Sequence, residues 1–253
     1  MTQVQWSEMT GPGVRLFARK TNVALVPVGC VEMHGPHLPT GNDAYVAQNI
    51  CVAAAQREPA IVLPPIFYNI NNMMKGYPGT ISIPIATVRQ LYSDICIECA
   101  RNGFPRVLFF IGHGGSQIVV DVLEADILER RRNGEKIPYD VFWTFITTLM
   151  QPELGQLVKT PMGHGCEFET SLTLHCRPDL VKLDRVKKDG PVLPKKIAKT
   201  TYRTDWIRQV PEGYIGKPRL ATAENGKKLI DVCVARLAEI IKQVKKFDPS
   251  RDA

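Results

Sequence analysis

Val23-Ala-Leu-Val-Pro-Val-Gly-Cys-Val-Glu-Met-His-Gly-Pro-His-Leu-Pro-Thr-Gly-Asn-Asp43 decides how the rest of this 253-residue chain is read. Its first six residues are continuously apolar, the pattern of a strand buried on both faces. At Gly29 the run breaks into a loop that carries Glu32, His34, His37 and Asp43. In open α/β sheets, ligands bind just beyond the carboxyl ends of strands. Two carboxylates and two imidazoles in that place suit zinc, manganese or iron. The Glu-x-His spacing puts both side chains on one side of an extended segment, and Asp43 returns toward the same point after a Pro-rich turn. A single histidine near a turn is ordinarily a hydrogen-bonded surface residue. Four such groups in one Gly/Pro-punctuated loop are read together as a metal site. His37 is the weakest of the four, equally suited to packing the loop.

Outward from this stretch, strands and helices alternate. Residues 44–57 place apolar side chains at 46, 47, 50, 51, 54 and 55, one face of a helix. Residues 60–63 form a short strand stopped by Pro64-Pro65, and 88–102 read as a helix stopped by Gly103. Between them, 67–84 has no periodicity and holds Asn69, Asn71, Asn72 and Gly76-Tyr-Pro-Gly79; structureless segments of that length are often functional. Residues 106–111 are the clearest buried strand. A helix to about 132, a strand over 139–147 and a closing helix over 224–246 complete the chain. The alternation predicts an α/β fold with a mainly parallel sheet covered by helices. No repeat, low-complexity run or linker-like break divides it, so one domain is expected over 1–253.

The composition, 44% apolar and 23% charged, is that of an ordinary globular protein and excludes a disordered or fibrous chain. No apolar run approaches the ~20 residues of a membrane span, and residues 1–13 lack the apolar core of a signal peptide. A cytoplasmic protein is expected. Seven cysteines, an odd number, make no disulfide framework in a chain this long; Cys96-x-x-Cys99 reads as two thiols on a helix. The net charge of +7 is concentrated in 185–219, which holds ten Lys/Arg against three acids.

Two further segments carry chemistry. Gly112-His-Gly-Gly-Ser116 follows the clearest strand, where glycines let the backbone approach a ligand and His113 can join Glu32, His34 and Asp43. A phosphate cradle would need more of its fingerprint. Ser116 lacks the G-x-S-x-G surroundings of a serine nucleophile. Gly163-His-Gly-Cys-Glu-Phe-Glu-Thr-Ser171 offers His164, Glu167 and Glu169 ahead of an apolar stretch. Taken alone, Glu169 reads as a helix-start charge favoured by the macrodipole. Glu167 and His164, with two glycines beside them, suggest a tight approach to something.

Together, Pro27-Val-Gly-x-x-Glu-x-His-Gly-Pro-His-Leu-Pro39, Pro78-Gly-Thr-Ile-Ser82, Gly112-His-Gly-Gly115, His164-x-x-Glu-x-Glu-Thr-Ser171 and Ala221-Thr-Ala-Glu-Asn-Gly226 resemble the creatininase (creatinine amidohydrolase) family over nearly the whole length. The resemblance implies a three-layer α/β/α fold, two divalent metal ions per chain (Zn, Mn or Fe) and a homo-oligomer, often a hexamer. Carried over by position, Glu32, Asp43 and His113 would hold one metal and His34 the second, with Asp43 bridging. Creatininase itself supplies a further carboxylate two residues after the strand-end histidine, where this chain has Gly115. Other members carry it in the His-x-x-Glu segment, which makes Glu167 the expected second-site ligand here. The chain departs from the family at Cys30, Ile111, Ser116 and Cys166, and at 71–75, upstream of Pro78-Gly-Thr, where a histidine is common.

The resemblance further implies a metal-dependent hydrolase in which a metal-bridged hydroxide attacks a carbonyl of a small cyclic or formamide substrate, cleaving a C–N bond. His164 would move the proton to the leaving group and Glu169 would orient it; Tyr77, Gly114 and Gly115 would line the substrate. Hydrolytic C–C ring cleavage of an inosose-like cyclic polyol ketone is the alternative within the same chemistry. A reading from another class uses the basic stretch, with Lys187, Lys188, Lys195, Lys196 and Lys199 interleaved with Tyr202, Trp206 and Tyr214, to bind nucleic acid or another anion. No RNA- or DNA-binding fingerprint accompanies it, so that stretch is read first as a solvated excursion against a neighbouring subunit, and a nucleic-acid or membrane partner is not expected.

Overall fold

A buried strand must be followed by a segment long enough to return the chain to the same end of the sheet, and amphipathic helices do this here. The computed structural model describes residues 2–160, 162–191 and 206–248. In chain order its main elements are α1 (Gly11–Phe17), β1 (Val23–Val28), α2 (Asn42–Arg57), β2 (Ile61–Val62), α3 (Ile85–Arg101), β3 (Arg106–Ile111), α4 (Gln117–Arg132), β4 (Asp140–Phe145), α5 (Glu153–Leu157), α6 (Glu167–Cys176) and α7 (Ala223–Lys246). The four strands form one sheet in the order β2-β1-β3-β4, and every pair is parallel.

The central strands β1 and β3 are buried nearly throughout, which explains their unbroken apolar runs; the edge strand β4 is half-buried. Helices α2 and α7 pack on one face of the sheet with α6 against both, while α3 and α4 pack together on the other face. The result is a three-layer α/β/α fold. The closing helix α7 turns Leu229, Ile230, Cys233, Val234, Leu237, Ile241 and Val244 inward as one stripe. Thr222 caps it, its side chain accepting the Asn225 amide.

Register sets the site. Val28 pairs with Ile111, so β1 and β3 end side by side and their following loops emerge together. The 67–84 segment is tied to the same end: Ile81 bridges Val31, and the buried Asn69 side chain donates to the Gly29 carbonyl at 3.1 Å and to the Tyr92 hydroxyl at 2.8 Å.

All seven cysteines are free thiols, and Cys96 and Cys99 are buried on α3. Among the described residues no helix is long and apolar enough to cross a membrane. Of the basic stretch, Lys195, Lys196, Lys199 and Tyr202 lie outside the described residues. Its described cations include Lys188, which pairs with Glu212 at 3.7 Å, and Lys217 and Arg219, which pair with Asp189, each at 3.4 Å.

Candidate metal centre

The loop after β1 leaves the sheet at Gly29, where α2 crosses so closely that a β-carbon would meet the Ala44 amide nitrogen at 2.3 Å. Gly112, after β3, is hemmed in likewise: a β-carbon would stand 2.9 Å from the Asp43 carbonyl. Two strand ends and the first turn of α2 are thereby brought to one point. Glu32, His34, Asp43 and His113 meet there, all buried.

Asp43 lies at the centre. Its Oδ1 stands 2.9 Å from His34 Nε2, and its Oδ2 stands 3.1 Å from His113 Nδ1. The carboxylate is steadied by Asn42, whose amide donates to Oδ1 at 3.2 Å and whose own oxygen accepts the Thr173 hydroxyl from α6. Glu32 Oε2 lies 3.3 Å from His113 Nδ1, 3.9 Å from His34 Nε2 and 3.8 Å from His164 Nδ1.

The three histidines share one arrangement. His34 Nδ1 is 3.0 Å from the Glu32 carbonyl, His113 Nε2 is 3.2 Å from the Ile70 carbonyl, and His164 Nε2 contacts the Met33 carbonyl. A carbonyl only accepts, so each ring must donate through that nitrogen. When the ring is neutral, the other nitrogen presents a lone pair to carboxylates: His34 Nε2, His113 Nδ1 and His164 Nδ1. A lone pair aimed at a carboxylate is unfavourable unless a cation lies between them. His34 Nε2 is fully buried and makes no hydrogen bond, although Asp43 is 2.9 Å away. A backbone carbonyl that fixes the tautomer while the opposite nitrogen faces anionic oxygens is the pattern of a metal-ligating histidine. The donor set therefore fits a divalent metal.

The electrostatics agree. Burial lowers His34, but Asp43 and then Glu169 and Glu32 outweigh it and raise the ring to about 10. His113 is likewise driven well above its ordinary value, against its burial, by Glu32 and Asp43. Glu32 is held down at about 2, where His164 and His113 overcome burial. These carboxylates demand positive charge, which either protons or metal ions can supply. His164 moves the other way: burial and the neighbouring His34 lower it. Its ring lies over His34 with centroids 4.1 Å apart.

The α6 carboxylates do not follow the expected assignment. Glu167 turns away: its carboxylate accepts the Lys159 amide at 3.1 Å, the Thr160 amide at 3.0 Å and the Thr160 hydroxyl at 2.9 Å. With those donors satisfied inside the protein, it does not reach the cluster. Glu169 does. Its Oε2 is 3.8 Å from His34 Nε2, and a ligand-sized group forms from His34, Asp43 and Glu169. Burial raises Glu169 to about 7 even though His34 opposes the shift. Its carboxylate also accepts the Gly165 amide, so it holds the His164 loop through the backbone rather than through the ring.

The other expected residues are spread. Tyr77 is buried and its hydroxyl donates to the Val210 carbonyl at 2.6 Å, so it pins the 206–215 segment over the site. Gly114 is exposed beyond His113, and Gly115 lies against the His113 ring. His37 packs the loop, with Nε2 3.0 Å from the Thr170 hydroxyl; burial and His34 push it down to about 4.

Two neighbours escaped the sequence reading as site residues. Trp206 presents its ring edge-on to His164 at 6.0 Å, and the Ile215 amide donates to the His164 carbonyl at 2.7 Å. Cys30 Sγ lies 3.3 Å from Asp43 Oδ2 and 3.6 Å from Glu32 Oε2. The same alternation that puts Glu32 and His34 on one side extends back to residue 30 and would have found it.

A cavity of about 20 Å³ lined by Asn42, Asp43, Gly112, Phe168 and Glu169 adjoins the cluster, room for one water-sized species. A larger cleft of about 360 Å³, on α2 among Gln48, Asn49, Val52 and Arg177, is lined by none of the cluster residues.

With this geometry in place, comparison with known proteins is specific. Residues 7–241 match the family model Creatininase (creatinine amidohydrolase). The chain is 30% identical over 242 residues to creatinine amidohydrolase of Pseudomonas putida, covering 90% of this chain and 91% of that one. It is 30% identical over 238 residues to the mycofactocin precursor peptide peptidase of Mycolicibacterium smegmatis, covering 91% and 87%. It is 23% identical over 281 residues to 3-dehydro-scyllo-inosose hydrolase of Thermotoga maritima, covering 98% and 86%. A solved structure, "Creatininase Mn", superposes with a TM-score of 0.83 at 28% identity, covering 97% of this chain and all of that one.

Proposed function

The chain belongs to the creatininase family and is a metal-dependent hydrolase, and from that premise we propose that it cleaves a C–N bond of a small cyclic amide or formamide at a centre of two divalent metals. One observation carries the reading: the two oxygens of Asp43 face ring nitrogens of two different histidines, 2.9 Å from His34 and 3.1 Å from His113. That is the disposition of a carboxylate shared between two ions.

Glu32, Asp43 and His113 would hold the first metal; His34, Asp43 and Glu169 would hold the second. Two such ions, held there, would supply a bound water with its pKa lowered toward ~7 and a polarised carbonyl. The remaining work falls to the chain. His164, whose pKa burial lowers, would take a proton at Nδ1 from the attacking water and pass it to a leaving nitrogen. Glu32, 3.8 Å away, stabilises the imidazolium that forms. The Met33 carbonyl fixes the ring's tautomer, and Trp206 walls its far side.

Amide cleavage is preferred because the more similar relatives are named an amidohydrolase and a peptidase. The C–C reading stands second, on the inosose hydrolase relative. Creatinine is expected to be a poor substrate, because Gly115 provides no carboxylate and 71–75 departs from the family pattern. The test is a panel of creatinine, other cyclic amides, formamides, short peptides and an inosose-like ketone offered to the metal-loaded protein, with products identified by mass. Release of an amine supports the reading; turnover of the ketone alone overturns it in favour of C–C cleavage.

A further inference from the structure

We propose that Cys30 supplies a thiolate ligand to the first metal, so that this site is a sulfur-containing one built from Cys30, Glu32, Asp43 and His113. The inference rests on the two-metal reading above and goes beyond it, since the family resemblance assigns that ion only oxygen and nitrogen donors.

The Cys30 sulfur, a carboxylate oxygen each of Glu32 and Asp43, and a ring nitrogen of His113 all lie within 4.8 Å of one another, and all four residues are buried. A tetrahedral zinc has bonds of about 2.3 Å to sulfur and about 2.0 Å to oxygen or nitrogen. At the tetrahedral angle those lengths give sulfur–oxygen edges of about 3.5 Å and nitrogen–oxygen edges of about 3.3 Å. Sulfur stands 3.6 Å from Glu32 Oε2 and 3.3 Å from Asp43 Oδ2. His113 Nδ1 stands 3.3 and 3.1 Å from the same two oxygens. Four of the six edges of such a tetrahedron are therefore matched to within a few tenths of an ångström, and the remaining two are no longer than 4.8 Å. The unpartnered, buried His34 Nε2 facing the other oxygen of Asp43 is an independent sign that cations belong here.

The rival reading keeps Cys30 as a thiol that donates weakly to the two carboxylates. The two differ in chemistry. As a ligand, the sulfur gives an electron pair to the metal and its proton leaves to buffer, because a coordinating thiol is deprotonated outright. A thiolate also biases the site toward zinc or iron and away from manganese, since soft ligands select softer ions.

X-ray absorption fine structure at the zinc edge of the zinc-loaded full chain tests this without any assay of turnover. The expected result is a sulfur scatterer at about 2.3 Å from zinc in the wild type, lost in Cys30→Ser reloaded to the same metal content. The cobalt-exchanged protein should match it with a near-ultraviolet thiolate charge-transfer band that disappears in the same variant. Two bound metals with only nitrogen and oxygen around them, or a sulfur shell that persists in Cys30→Ser, overturns the proposal and leaves the two-metal reading intact. Failure of the wild type to take up metal removes that reading and this one together. Cys30→Ala serves if the serine variant does not fold. Should neither fold, the wild-type spectrum decides, because Cys30 is the sulfur found in such a cluster among the described residues.

Discussion

Glu169 stands 3.8 Å from His34 Nε2, while Glu167, two residues earlier on the same helix, spends its carboxylate on the backbone of Lys159 and Thr160. The two residues separate by chemistry. Glu169→Gln should reduce the metal content from two ions per chain toward one and lower turnover by roughly 10²-fold or more, since even outer partners of a ligand are worth 10–100-fold. Glu167→Gln should keep both metals and lose stability instead, about 1–3 kcal/mol, because an amide NH₂ must then face donors it cannot accept from. Elemental analysis and denaturant midpoints of the two variants check the pair. Loss of metal from Glu167→Gln alone would reverse the assignment.

The choice between these carboxylates was not legible in the sequence, for a physical reason. Residues two apart on a helix point about 200° apart, so one faces the site and the other away. Which one does so depends on how α6 is rotated against α2 and α7, and that is a packing outcome. The strand ends were different. Unbroken apolar runs stopped by Gly29 and Gly112 fix where β1 and β3 end, and parallel pairing then brings Glu32 and His113 together without further information. Cys30 was readable in principle from its two-residue spacing to Glu32, but it registered only as a departure from a family pattern. The family resemblance sets Tyr77 on the substrate side; its hydroxyl also donates to the Val210 carbonyl, a contact 133 residues away that no local pattern announces.

His164→Ala should retain both metals and lower turnover by roughly 10²–10⁴-fold, the usual worth of a general acid or base. Burial and His34 lower the ring's pKa, so it gains its proton at a lower pH than an ordinary histidine does. Activity of the wild type should therefore fall on the acid side as Nδ1 becomes protonated, and the residual activity of the variant should lack that limb. A variant that loses metal would make His164 a ligand.

Gly115→Ala should disturb the first metal. A β-carbon there would stand 2.5 Å from His113 Nε2, the nitrogen that donates to the Ile70 carbonyl. The ring must tilt, and metal affinity should fall by roughly 10–100-fold, as when a ligand's supporting hydrogen bond is lost. Wild-type affinity in a competition titration with a chelator would contradict this. By the same clash, Gly115→Glu should not restore a second site emptied by Glu169→Val.

Chelation should lower stability without unfolding the chain, since one core continuous through sheet and helices surrounds the cluster. Metal at a hundred times its Kd adds about 2.7 kcal/mol, which in a domain of this size corresponds to a Tm shift of about 5–10 °C. Calorimetry of the stripped and reloaded protein measures it; an unchanged Tm would mean that no metal binds the folded state tightly.

In the two-metal centre Asp43 would be shared by both ions. Elemental analysis of the purified protein, repeated after stripping and reconstitution, measures it most directly. Close to two divalent metals per chain are expected, falling well below one in Asp43→Ala because both sites would share that carboxylate. A protein that takes up no metal, or an Asp43→Ala variant that still holds two, contradicts it.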